Sequence, residues 1–97
     1  MPSYELTRAA ERDLTEIYAY TYAEFGEAQA DRYFENLEDT VARLAENPRL
    51  GRDVSDLGKG YRQFIHQRHT IYYRRRRGGI LVVRILGPGR STDAELP

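Results

Sequence analysis

Residues 8–48 read RAAERDLTEIYAYTYAEF, then a lone Gly26, then EAQADRYFENLEDTVARLAENP. In the first run Ala10, Leu14, Ile17, Tyr18, Thr21 and Phe25 recur at helical spacing, and at ~100° per residue they share one face. In the second, from about Glu27 to Glu46, Ala30, Tyr33, Phe34, Leu37, Val41, Leu44 and Ala45 form a continuous stripe. Thr7 is placed to cap the first helix, because its hydroxyl can accept from an orphan backbone N–H. Gly26 breaks the pattern and is expected in the left-handed cap conformation. Asn47-Pro48 ends the second helix, since proline cannot continue the backbone bonding and pushes Asn47 out of helical space. So short a connection makes the helices antiparallel neighbours. Each has one apolar face, and the rest of the chain must cover both.

Upstream, residues 4–7 (Tyr-Glu-Leu-Thr) alternate apolar and polar, which suits a short strand. Downstream, residues 49–60 carry Gly51, Gly58 and Gly60 among charges and read as a loop. Tyr61 to Gln67 reads as a strand, and so does His69 to Arg76, rich in β-formers. Gly78-Gly79 suits a tight turn. Ile80 to Leu86 is nearly all apolar and is expected to be the most buried strand. Gly87-Pro88-Gly89 stops it, and residues 90–97 form a polar tail. The order β-α-α-β-β-β predicts an α+β fold: an N-terminal strand, and a helical hairpin packed on a mostly antiparallel sheet. At ~100–200 residues per domain, the 97 residues make one domain, 1–97. Strand alternation sets Ile71 and Tyr73 against Thr70, Tyr72 and Arg74, and Leu81, Val83 and Ile85 against Ile80, Val82 and Arg84. It predicts an open, concave sheet face on which Arg74 and Arg84 lie beside Tyr72.

The formal net charge of zero conceals an uneven distribution. Residues 1–47 hold 11 acids and 4 bases; residues 48–97 hold 4 acids and 11 bases. Lys59 is the sole lysine, so the basic half is arginine, whose planar fork matches carboxylates and phosphates. A basic half points to an anionic partner, unless the halves neutralise each other within the fold. The chain has no cysteine, which excludes a disulfide framework and thiolate metal sites, and its two histidines do not make a His-rich metal site. No metal or cofactor is expected. No apolar run approaches the ~20 residues of a membrane span, and Met1 to Tyr4 lacks signal-peptide character. A cytoplasmic protein without membrane contact follows.

Catalytic motifs are sparse. Ser3, Ser55 and Ser91 lie in no strand-turn-helix elbow. Paired acids such as Glu35 and Asp39 have the spacing of solvated helix faces. Metal-free RNA cleavage would need a general base, a general acid and cations for the phosphorane charge. Arginines could supply the cations, and His66, His69 or a tyrosine the proton transfer. After Tyr73, however, the chain holds no Tyr, His or Lys. Within Arg74-Arg75-Arg76-Arg77, alternation splits the side chains between two faces, and Arg76 and Arg77 adjoin the turn, which leaves Arg74 as the better partner contact. Tyr20 and Tyr22 flank the first helical stripe, where they could border a groove for a partner helix or serve as half-buried packing.

In their order and spacing several segments resemble a known family. They are residues 4–14 (YELTRAAERDL) with Ile17-Tyr18; FGEAQA (25–30) leading to Tyr33; LAENP (44–48) with LGR (50–52); RHTIYYR (68–74); and VRIL (83–86). The chain is similar in these to the ParE-type toxins of bacterial type II toxin–antitoxin modules, within the wider RelE/ParE superfamily. The resemblance implies the β-α-α-β-β-β fold. It also implies a toxin that inhibits DNA gyrase or a related type II topoisomerase, and a co-expressed ParD-like antitoxin. Such an antitoxin has a flexible acidic segment that folds on the toxin, giving a hetero-oligomer; an Arg-rich sheet suits it. The toxin itself is expected to bind no specific DNA sequence. The residues expected to meet antitoxin or target are Tyr20, Tyr22, Arg62, Arg68, Tyr72, Arg74, Arg84 and Arg90, with Arg62, Arg74, Arg84 and Arg90 forming one anionic-partner surface. RelE-type relatives instead cut messenger RNA on the ribosome and usually carry a Tyr or His near the C-terminus; here the tail reads Arg90-Ser91-Thr92-Asp93, so the non-enzymatic ParE-like reading is favoured. The alternatives are a ribosome-dependent endoribonuclease using Arg74 and Arg84 with His69 or Tyr72, and a relic that only binds its antitoxin.

Overall fold

A computed structural model describes residues 3–88 and 96. Along the chain lie β1 (Ser3–Leu6), α1 (Arg8–Phe25), α2 (Glu27–Glu46), a 3-10 turn (Pro48–Leu50), β2 (Arg52–Asp53), β3 (Tyr61–His66), β4 (His69–Arg76) and β5 (Gly79–Leu86). The five strands form one sheet in the order β1-β5-β4-β3-β2; β1 runs parallel to β5 and all other neighbours are antiparallel. The helical hairpin carries the chain from β1 across to the rest of the sheet. The α+β expectation therefore holds, with β1 as the single parallel member.

Both helix boundaries follow from the chemistry of their ends. Thr7 Oγ1 accepts from the Ala10 amide at 3.0 Å and donates to the Val83 carbonyl at 2.7 Å, so the cap also pins α1 to β5. Gly26 has φ 90° as a glycine is free to do, but its ψ of 171° is extended rather than left-handed helical. Its N–H donates to the Tyr22 carbonyl and its own carbonyl accepts from Ala30, so one residue closes one helix and opens the next. Ala10, Leu37, Val41, Leu44 and Ala45 pack with Ile71, Tyr73, Ile80, Val82 and Ile85 to form the main core. Phe25, expected in the apolar stripe, stands 62% exposed at the last position of α1.

Three further expectations change. Residues 49–60 are not all loop: they include the 3-10 turn and β2, held by the buried Tyr73 hydroxyl, which donates to the Pro48 carbonyl (2.7 Å) and accepts from the Gly51 amide (2.8 Å). The β4–β5 turn is Arg77-Gly78 with Gly78 at φ 80°, not Gly78-Gly79; Gly79 already pairs with Arg76 in the ladder. The sheet face away from the helices is not bare. A second cluster of Val54, Tyr61 and Val83, with Leu57, Leu81 and Leu96 against it, lies there under the chain of residues 54–60. A bulge in the β4–β5 pairing, where Tyr72 meets Arg84 but Tyr73 meets Val82, leaves Val83 unpaired in the ladder. It shifts the parity of β5, which is why Ile80, Val82 and Ile85 all reach the main core.

Candidate partner-binding surfaces

Cross-strand pairing builds two rows on the face opposite the helices. Arg52, Gln63, Tyr72 and Arg84 are successive partners across β2, β3, β4 and β5, and Tyr61, Arg74 and Leu81 form the next row. Tyr72 is only 6% exposed. Burial pushes its hydroxyl up from the usual phenol value, against the opposing influence of the Arg52 guanidinium. The Arg74 guanidinium carbon lies 6.0 Å from the centre of the Tyr61 ring, at the outer limit of a cation–π contact. Arg49, Arg52, Lys59 and Arg74 to Arg77 are all exposed. This half of the molecule therefore presents exposed guanidinium groups, one of them, that of Arg74, near an aromatic ring, and guanidinium forks suit carboxylates or phosphates.

Arg62, Arg74 and Arg84, expected on one surface with Arg90, do not share it. Arg84 pairs opposite Tyr72, but its Nε and Nη2 reach the Asp13 carboxylate of α1 at 2.7 and 2.8 Å, and the same carboxylate accepts from the Ile85 amide at 2.9 Å. Asp13 thus serves the stretch of β5 beyond its pairing with β1, and the arginine charge is spent inside the protein. Arg62 pairs with Tyr73 and so lies on the helix side of the sheet, donating to the Gly51 carbonyl at 2.8 Å. Arg90 lies outside the described residues. Of the three that are described, Arg74 alone keeps an exposed guanidinium on the expected face, where it is joined by Arg52, a residue of the stretch expected to be loop. The alternative in which acidic and basic halves neutralise each other is thus partly realised: Arg84 meets Asp13, and Arg76 meets Glu5 at 2.7 Å.

Tyr20 and Arg68 do come together. They border a cleft of about 450 Å³ between the end of the helical hairpin and the β3–β4 turn, with Phe25, Tyr33, Gln67 and His69 in its lining. Tyr20 is 59% exposed. Tyr22 instead faces Tyr18, with ring centres 6.2 Å apart, and takes no part in the cleft. Tyr18 donates to the Asp31 carboxylate at 2.6 Å and links the two helices. Of the two stripe residues in this lining, Tyr33 packs against the main core as its periodicity predicts, and Phe25 does not. The signal that separates Phe25 from the core is its place at the last position of α1, a turn beyond Thr21.

The proton-transfer candidates are dispersed. His69 shares a 2.6 Å hydrogen bond between its Nδ1 and the Tyr33 hydroxyl, and His66 Nδ1 lies 3.0 Å from the Thr40 hydroxyl. Burial lowers the pKa of both rings; Arg43 adds to the effect at His66, and His66 and Arg68 add to it at His69. These contacts to α2 place His69 on the helix side of the sheet, while Tyr72 lies on the other. The two do not converge on a common group. Among the described residues no set of three or more His, Asp or Glu is placed to hold a metal ion. Among the described residues no helix is long and apolar enough to cross a membrane.

Comparison with known proteins agrees with this architecture. The family described as "ParE toxin of type II toxin-antitoxin system, parDE" matches residues 4–91. Toxin ParE1 of Mycobacterium tuberculosis is 38% identical over 94 residues, covering 96% of each chain. Toxin ParE of Escherichia coli is 40% identical over 87 residues, covering 89% of this chain and 84% of the relative. A solved structure titled "Chromosomal ParDE TA system from P. aeruginosa" superposes with a TM-score of 0.75 at 22% identity, over 90% of this chain and 96% of that one, which shows a shared fold.

Proposed function

The chain belongs to the ParE family, the toxins of type II toxin–antitoxin modules, and from that premise we propose that it inhibits DNA gyrase or a related type II topoisomerase by grasping it. A ParD-like antitoxin, acidic and folding on contact, holds it inactive in a cytoplasmic hetero-oligomer. The observation that carries this reading is the separation of His69 from Tyr72 by the thickness of the sheet. General acid–base cleavage of RNA needs a base, an acid and cations around one phosphate. Beside the exposed Arg52 and Arg74 stand two buried tyrosines, Tyr61 and Tyr72, the latter with its pKa raised by burial, while both histidines lie on the helix side of the sheet. What this face is suited to do is bind: the exposed guanidinium forks of Arg52 and Arg74 can engage carboxylates of a protein surface with directional hydrogen bonds.

The test is supercoiling of relaxed plasmid by purified gyrase in the presence of the toxin. The expected result is inhibition by the wild-type chain and loss of inhibition in the Arg52→Glu, Arg74→Glu double variant, which alters exposed charges and leaves both clusters intact. Undiminished supercoiling at saturating, folded toxin overturns the target assignment.

A further inference from the structure

We propose that the cleft at the end of the helical hairpin is an anchor socket. It takes one aromatic side chain of the antitoxin segment, with a neighbouring carboxylate of that segment on Arg68. This rests on the reading that an antitoxin binds, and adds where it is anchored and by what chemistry.

Four observations support it. First, two rings of its wall stand largely exposed, Phe25 at 62% and Tyr20 at 59%, where most of the large apolar side chains of the two helices are buried or half-buried. Neighbouring uncovered aromatics on a small protein mark a docking site. Second, the floor is rigid. Tyr33 Oη and His69 Nδ1 are tied at 2.6 Å, and Thr40 Oγ1 and His66 Nδ1 at 3.0 Å, so the β3–β4 turn is fastened to α2 from both strands. A pre-formed site loses little entropy when filled. Third, the turn is built to present side chains. Gln67 has φ 54°, a conformation that costs a residue other than Gly, Asn or Asp, and its side chain and that of Arg68 line the cleft. A glycine there would relieve the backbone but leave the wall short. Fourth, the rim is polar in a directed way. Arg68 stands at the turn, and on the far side Glu16 lines the adjoining hollow shared with Tyr20 and His69. A partner entering with its acid toward Arg68 and any base toward Glu16 is matched; the reverse direction sets like charges together. At about 450 Å³ the cleft falls within the ~300–1,000 Å³ of ordinary ligand pockets, which leaves room for an aromatic side chain together with the groups beside it.

The experiment uses the full chain and the antitoxin encoded beside it. Affinity is measured for the wild type and for Phe25→Ala, Phe25→Trp and Arg68→Glu, with melting curves confirming the fold. The expected result is at least about a tenfold loss for Phe25→Ala and for Arg68→Glu, with Phe25→Trp near wild type. Unchanged affinity in both loss variants, with the complex otherwise intact, overturns the socket and leaves the antitoxin reading standing. Failure of the wild-type chain to bind overturns the antitoxin reading. In that event the dipeptide Ac-Phe-Glu-NH2, titrated against the chain by NMR, judges the cleft separately. Shifts confined to Phe25, Arg68 and His69, absent with Ac-Ala-Glu-NH2, uphold it; no shifts, or tighter binding of uridine monophosphate at the same residues, overturn it.

Discussion

Replacing Asp13 by alanine tests the reassignment of Arg84 from partner surface to internal clamp. The Asp13 side chain is 5% exposed and that of Arg84 12%, so water screens little of their interaction. The carboxylate accepts two hydrogen bonds from the guanidinium and one from the Ile85 amide. Asp13→Ala leaves a largely buried cation without its carboxylate and a buried N–H without its acceptor. Breaking one side of such a pair costs about 3–5 kcal/mol. A domain of this length has ~5–15 kcal/mol in total, so the variant loses a large part of its stability. At ~4–8 °C per kcal/mol its melting temperature falls by more than about 12 °C. The double variant Asp13→Leu, Arg84→Met removes both charges and retains apolar volume. It should recover most of the loss, apart from about 1–3 kcal/mol for the unpaired Ile85 amide. Urea denaturation of the purified chain followed by circular dichroism measures all three. If Asp13→Ala lies within 1 kcal/mol of wild type, a threshold well under the ~3–5 kcal/mol above, the clamp is not structural. If Arg84→Ala then weakens partner binding without changing stability, the sequence-based placement of Arg84 was right.

Two further outcomes follow from the same geometry. Tyr73→Phe deletes the hydroxyl that joins the Pro48 carbonyl and the Gly51 amide; the expected cost is about 1–3 kcal/mol, with faster amide exchange concentrated in residues 48–54, and an unchanged exchange pattern would contradict it. Both histidines have their pKa lowered in the fold, chiefly by burial. The native state therefore binds fewer protons than the unfolded chain, whose rings titrate near ~6.5. Their contribution is fully present above that value and is lost as pH falls through it toward the folded pKa. The urea midpoint should drop between pH 7.5 and 5.5, and the drop should shrink in His66→Gln, His69→Gln; a midpoint that rises on acidification would refute the assignment.

The helical hairpin was legible because its information is local: a 3.6-residue period, Thr7 before it, Gly26 within it and Asn47-Pro48 after it. Four of the five strands were legible for the same reason; β2, only Arg52–Asp53, was not, because two residues carry no period. What failed was the inference from strand alternation to a surface. The bulge at Val83 follows from how β5 must fit both β4 and the α1 cap at Thr7, a tertiary demand that no local pattern in VVRIL announces. Asp13 lies among ordinary helical acids in the sequence, and nothing nearby marks it as the partner of a residue 71 positions away. Arg62 is different, because its face was implicit. A two-residue turn at Gln67-Arg68 sets His66 opposite His69 and hence Arg62 opposite Tyr73, away from Arg74. Phe25 reads as core by periodicity alone; that it stands 62% exposed beside a cleft is a matter of tertiary arrangement.

The central claim is that this toxin disables its target by binding rather than by cutting RNA. The direct measurement is induction of the chain in cells lacking its antitoxin, with plasmid topology and chromosome breaks scored beside the 5′ ends of ribosome-bound messages. The account predicts altered supercoiling and DNA breaks with intact messages. Site-specific message cleavage that disappears in His69→Ala would contradict it, and so would normal growth at confirmed expression of the folded protein.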